Sequence, residues 1–184
     1  MSQAGIQQQI ASASPGARSF AQRLVGAVRL DSATYEEIAS SPNALGQAAT
    51  VVALAGAASA FASERTTTLS AIFGALAIAS AWLMGAGLIW VGSRQQVPYP
   101  RLLRTVGFGM TPLTLVALEM VPLAPVRYAV ALLSTALFVA ALVVGTRQSL
   151  RASTGTAALL CAPVLILCLL LPTLIGYLAS LVWV

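Results

Sequence analysis

Five carboxylates and ten arginines carry all the charge of this 184-residue chain, which contains no histidine and no lysine. One of the five acids, Glu119, stands in "TVGFGMTPLTLVALEMVP", residues 105–122, a stretch otherwise free of charge and long enough to cross a bilayer. An ionisable group at that depth is costly and has either a partner or a task. Two chemistries are open to it. As one member of an ion pair it would reach Arg127, which follows just beyond Pro122 and Pro125, and the pair would sit at the outer rim of the membrane. As a proton or ion site it would need further polar groups converging near the midplane, and the sequence supplies only the hydroxyls of Ser80, Thr111, Thr114, Ser134, Thr135 and Thr173. The ion pair is the favoured reading.

Other chemistries are excluded more sharply. Without histidine there is no imidazole base and no histidine ligand for zinc or haem. The sequence has no Gly-x-Ser-x-Gly elbow, no phosphate-cradling P-loop and no dinucleotide glycine pattern. Cys161 and Cys168 are seven residues apart, about 10 Å along a helix, beyond disulfide reach. They read as small apolar residues. No metal, no cofactor and no enzymatic reaction is expected.

The elements that must carry these residues follow from composition. Hydrophobic residues make up 58% of the chain and charged ones 8%, against about a quarter charged in soluble domains, so the chain reads as an integral membrane protein. The arginines and acids enclose five apolar stretches, at 43–63, 68–91, 105–124, 127–146 and 156–181, each near the roughly 20 residues that span hydrocarbon as a helix. The runs are continuous and do not alternate, which excludes a β-barrel. The expected fold is all-α: a polytopic membrane protein with five transmembrane helices over 42–184, preceded by a flexible polar arm (1–18) and a pair of cytoplasmic helices (19–41). Pro163 and Pro172 fall inside the last span, and Trp183 at its far interface. Eight arginines (Arg18, Arg23, Arg29, Arg94, Arg101, Arg104, Arg147, Arg151) fall on one side of this arrangement and two (Arg65, Arg127) on the other. That asymmetry predicts a cytoplasmic N-terminus and an external C-terminus in a cell inner membrane. The formal net charge of +5 therefore reports topology, and nucleic acid is not an expected partner.

Ahead of the first span, "SFAQRLVGAVRLDSATYEEIASSPNALGQ" predicts an amphipathic helix on the membrane surface. Phe20, Leu24 and Val28 are its apolar anchor, with Arg23 and Arg29 in the polar fringe. Asp31 is placed to cap a second short helix bearing Tyr35, Glu36 and Glu37, and Ser41–Pro42 to open the first span. The pair of helices is either an anchor that orients the bundle or, with Arg94, Arg101 and Arg104 of the second loop, a docking surface for a partner. Small residues four apart (Gly56 and Ala60; Ala77, Ala81 and Gly85) permit close helix packing, within the chain or between copies. Gly107, Gly109 and Pro112 mark a hinge or a fixed kink at the start of the third span.

The order of "FxxRLxxxxRLD", "YEEIxxxPNALxQA", "YPRLLRTVGFG" and Pro112 resembles the bacterial branch of the YIP1 family of integral membrane proteins over residues 19–184. The resemblance implies a five-helix membrane fold and no firm activity. Eukaryotic members are associated with Rab-type GTPases and carry an Asp-Leu-Tyr-Gly-Pro stretch, absent here, and a Gly-Tyr pair that here reads Gly107-Phe108. Rab binding is accordingly not carried over. The expectation is a non-enzymatic scaffold or accessory subunit whose contacts are membrane lipids and a membrane-protein partner or a second copy; the alternative is a small transporter or channel centred on Glu119.

Overall fold

The computed structural model describes residues 18–62, 68–121 and 123–182. The polar arm before residue 18, Glu64, Arg65, Pro122 and Trp183 lie outside them. Every regular element among the described residues is helical: α1 (Phe20–Val28), α2 (Ser32–Ser40), α3 (Ala44–Ala62), α4 (Thr68–Gly92), α5 (Tyr99–Gly109), a 3-10 segment (Thr111–Met120), α6 (Ala124–Leu150) and α7 (Thr154–Val182). Two of them, within Gly74–Gly92 and over Ala124–Leu150, are long and apolar enough to cross a membrane, and Ala44–Ser59 and Thr154–Cys168 are shorter apolar helices.

The short helices start where the sequence offers caps. Ser19 Oγ accepts the Gln22 N–H at 3.3 Å while Gln22 Oε1 accepts the Ser19 N–H at 2.8 Å, a reciprocal box that satisfies two otherwise orphaned donors. Asp31 Oδ1 accepts the Ala33 N–H at 3.2 Å and opens α2. Between them Leu30 takes a left-handed conformation, φ 58°, so that the Asp31 N–H reaches Gly26 O at 2.9 Å and closes α1. The first long helix begins at Ala44 rather than at Pro42, and Ser41 is the C-cap of α2 instead.

The third apolar stretch departs from the single helix expected of it. Pro112 has no N–H and its ring crowds the carbonyl four residues back, Phe108 O, so α5 stops at Gly109 and the chain continues as a 3-10 segment. The threonine before the proline compensates: Thr111 Oγ1 donates to Phe108 O at 2.6 Å. The Leu113 N–H then bonds to Met110 O, three residues back, at 3.0 Å. With a rise of about 2.0 Å per residue against 1.5 Å in an α-helix, the ten residues reach about 20 Å.

Packing is centred on this broken element. The 3-10 segment lies between α3 and α6, α5 lies against α3, α4 and α6, and α7 packs on α4 and α6. Gly107 makes a close crossing: a Cβ there would stand 2.8 Å from Ala48 Cβ and 3.1 Å from the Trp82 indole nitrogen. That nitrogen donates to Leu103 O at 2.8 Å, fixing α4 on α5. Tyr35, Ile38, Val51, Ile89, Leu102, Val106, Phe108, Met110, Leu142 and Val164 form the fully buried core.

Candidate functional site: the N-terminal cap and the broken third apolar stretch

The polar side chains converge where α1, α2 and the start of α3 meet. On α1, at about 100° per residue, Arg23 lies about 60° from Phe20, closer to it than Ala21 or Val28, each about 80–100° away. Arg23 thus belongs to the inward face. It is 4% exposed, with Nη2 2.9 Å and Nε 3.2 Å from Glu37 Oε1, Nη1 2.7 Å from Gln47 Oε1 and Nη2 3.3 Å from Ser41 Oγ. The expected place of Arg23 in a polar fringe is corrected by this geometry. A buried guanidinium needs its donors satisfied, and three elements do so.

Arg18 completes the cluster. Its backbone N–H donates to Glu37 Oε1 at 3.1 Å, and its guanidinium lies 2.8 Å from Asp31 Oδ2 and bonds to Thr34 Oγ1. The Thr34 hydroxyl also donates to Asp31 Oδ2 at 2.6 Å. That bond first, then the Ala33 N–H and the Arg18 charge, holds the Asp31 carboxyl below the usual aspartate range. Asp31, Thr34 and Glu37 recur every three residues and so share one face of α2.

The apolar face of α1 also turns inward. The Phe20 ring meets Phe108 edge-on, centroids 6.2 Å apart, and Leu24 packs on the core while Val28 is half-buried and Arg29 exposed. Phe20 and Leu24 are therefore seated on the bundle, where a surface-lying anchor would have turned them to lipid. Tyr35, expected on a docking surface, is fully buried. Its hydroxyl donates to Ala27 O at 3.3 Å, its ring lies where a Cβ on Gly145 would stand 3.1 Å away, and burial pushes its phenol above the ordinary range. Arg104 Nη1 donates to Ala39 O at 3.0 Å, placing a cation on the C-terminal carbonyls of α2. Glu36 stays exposed, with Arg151 at 3.6 Å, and Arg94 is exposed; Arg101 is half-buried. The structure does not bring Tyr35, Glu36, Glu37, Arg94, Arg101 and Arg104 together as one open face, because Tyr35 and Glu37 serve the interior.

Glu119 is half-buried near the end of the 3-10 segment. Among the described residues no ion pair joins it to Arg127, which is engaged elsewhere. The reason is winding: over the eight steps from Thr111, 3-10 geometry turns about 160° further than an α-helix would, so Glu119 leaves the position from which the pair was expected. Thr111, Thr114 and Ser134 donate to carbonyls three residues back along the chain, at 2.6, 2.8 and 3.1 Å. Gly107, Gly109 and Pro112 are all buried at the junction of α5 and the 3-10 segment.

A family model described as the Yip1 domain matches residues 26–175. The chain belongs to the Yip1 family. No curated protein and no solved structure matches it significantly. Yip1 proteins are membrane proteins that are generally not enzymes, so the apolar helices of this Yip1 domain face lipid. Its Gly107-Phe108 pair is where α5 touches α3 through the glycine and α1 through the ring. The residues of the cluster that sequence reasoning missed are Thr34 and Gln47, with Arg18 noted there only as a topological charge. The recurrence of Asp31, Thr34 and Glu37 and the angular place of Arg23 beside Phe20 were the available signals.

Proposed function

We propose that this Yip1 protein is a non-enzymatic scaffold or accessory subunit of a bacterial inner membrane. It spans five times, through α3, α4, α5 with its 3-10 continuation, α6 and α7, with the N-terminus in the cytoplasm as the eight-to-two arginine division implies. The observation that carries the reading is the contrast between its inside and its outside. The charged groups at the N-terminal cap, Arg23 buried among them, bond to one another, while Leu83, Met84, Leu88, Val91, Tyr128, Leu132, Leu133, Leu159 and Ile166 are exposed. Such a surface acts by contact with lipid and with other membrane helices. The partner is another membrane subunit or a second copy. Crosslinking in native membranes followed by purification in mild detergent tests this: a specific adduct or co-purified subunit is expected, and a lone monomer in native-like lipid overturns it. Deleting residues 1–30 should weaken the association by removing α1 from beneath α2, whereas deleting 1–17 should not.

The break in the third span supports a second reading, a small transporter, since discontinuous helices are a feature of transporter sites and Glu119 lies beyond the break. The hydroxyls of Thr111, Thr114 and Ser134, each donated to a carbonyl three residues back, form no polar path to it and favour the scaffold. Proton-driven uptake by proteoliposomes, abolished by Glu119→Gln with stability unchanged, would reverse the preference.

A further inference from the structure

The ends of α4 and α6 and the start of α7 enclose a groove of ≈ 330 Å³. Its exposed lining is polar, with Arg94, Gln96 and Thr156; Leu159 and Leu160 make its lining apolar on α7, and Ser93 is buried with its hydroxyl donated to Trp90 O at 3.0 Å. The apolar window of α4 ends at Gly92 and α7 starts at Thr154, so the groove lies where hydrocarbon gives way to water. Below the mouth, Leu88, Val91 and Leu159 are 41%, 64% and 75% exposed and continue the apolar wall into the lipid. Among the described lining residues there is one cation, Arg94, and no carboxylate.

The backbone holds that cation in an unfavourable conformation. Arg94 and Gln95 both have positive φ, 54° and 61°, a region in which glycine is unstrained and other residues are not. The turn is nevertheless well tied: the Gln95 N–H bonds to Trp90 O at 2.9 Å, and the Trp90 indole donates to Val97 O at 3.1 Å. A side chain kept where glycine would fold more easily points to a use for the guanidinium beyond the turn.

We infer that this groove binds an anionic phospholipid, its phosphate at Arg94 and Gln96 and one acyl chain along Leu159 and Leu160. The charge of the mouth selects the headgroup, and the depth of the wall at the membrane boundary selects a lipid over a soluble anion. This goes beyond a general lipid-facing surface, because it places one class of lipid at one site.

The test uses the full chain reconstituted in phosphatidylcholine nanodiscs and titrated with fluorescent phosphatidylglycerol. Arg94→Gly should reduce affinity about fivefold, the effect of one arginine at a membrane surface, while leaving the protein at least as resistant to heating, since the strained turn is relaxed. Arg94→Lys should retain binding. Arg147→Gln, an exposed arginine at the end of α6 outside the groove, should change affinity less than about twofold. Ala152→Trp, which fills the groove, should abolish saturable binding. Millimolar inorganic phosphate should not compete. Equal binding of the anionic and zwitterionic lipids, full affinity in Arg94→Gly, an equal loss in Arg147→Gln, or displacement by phosphate would each overturn the assignment.

Discussion

Replacing Glu37 by leucine strips the main counter-charge from a guanidinium that is 4% exposed. Arg23 would keep only Gln47 and Ser41, at 2.7 and 3.3 Å, and Arg18 would lose the acceptor of its backbone N–H. Removing one member of a fully buried pair costs about 3–5 kcal/mol. The Glu37 side chain is 27% exposed, so water offsets part of the loss, and about 2–4 kcal/mol is expected. Arg23→Met should cost less than that, because Arg18 still faces the Glu37 carboxylate with its backbone N–H at 3.1 Å and its guanidinium at 3.6 Å. The double variant should be much milder than the sum of the two, with a coupling of about 1.5 kcal/mol or more, because a methionine and a leucine leave no buried charge behind. The measurement is unfolding by SDS in mixed micelles, followed by tryptophan fluorescence. Additive single effects, or an Arg23→Met cost below about 0.5 kcal/mol, would refute the claim that this cluster clamps α1 and α2 to the bundle.

Thr111→Val keeps the shape of the side chain and removes the donor to Phe108 O, so it should destabilise the protein by about 1–3 kcal/mol in the same assay. Gly145→Ala introduces a Cβ 3.1 and 3.2 Å from two Tyr35 ring carbons and 3.3 Å from Thr105 O, and should cost about 1–3 kcal/mol of overpacking; Tyr35→Leu in the same chain should recover part of it. Asp31 has a lowered carboxyl pKa in the folded state, so its contribution is present above the unfolded value and is lost as pH falls through the folded one, below about pH 4. Asp31→Asn should flatten that acid limb, and an unchanged limb would remove Asp31 from the cluster's pH dependence.

The long helices were legible because continuous apolar runs bounded by arginine admit few other structures: the expected 43–63 and 68–91 correspond to helices Ala44–Ala62 and Thr68–Gly92. Length and composition go no further, and they did not reveal that the third run changes winding. Pro112 was visible, but whether a proline kinks a helix or ends it depends on what relieves the carbonyl behind it, and here Thr111 does so within a 3-10 turn. The site was harder to read. Charge puts Arg23 in the polar fringe of a membrane-surface helix, whereas its angle from Phe20 puts it inside. A place in the acidic turn offers Tyr35 to a partner as one of two readings, yet the missing side chain of Gly145, 110 residues later, makes its buried seat. Pairings across such separations leave no local pattern in the chain.

The seating of α1 and α2 has a consequence for the order of assembly. Their own helices form from residues 19–41, but the surfaces that receive them belong to Phe108 and Gly145, which leave the ribosome much later. At about 5–20 residues per second, Tyr35 waits roughly 5–20 s before its socket at Gly145 exists. Throughout that interval Arg23 and Glu37 remain hydrated, and Phe20 and Leu24 have the bilayer surface as their available apolar refuge. The first helices to be synthesised are thus locked only when the sixth arrives.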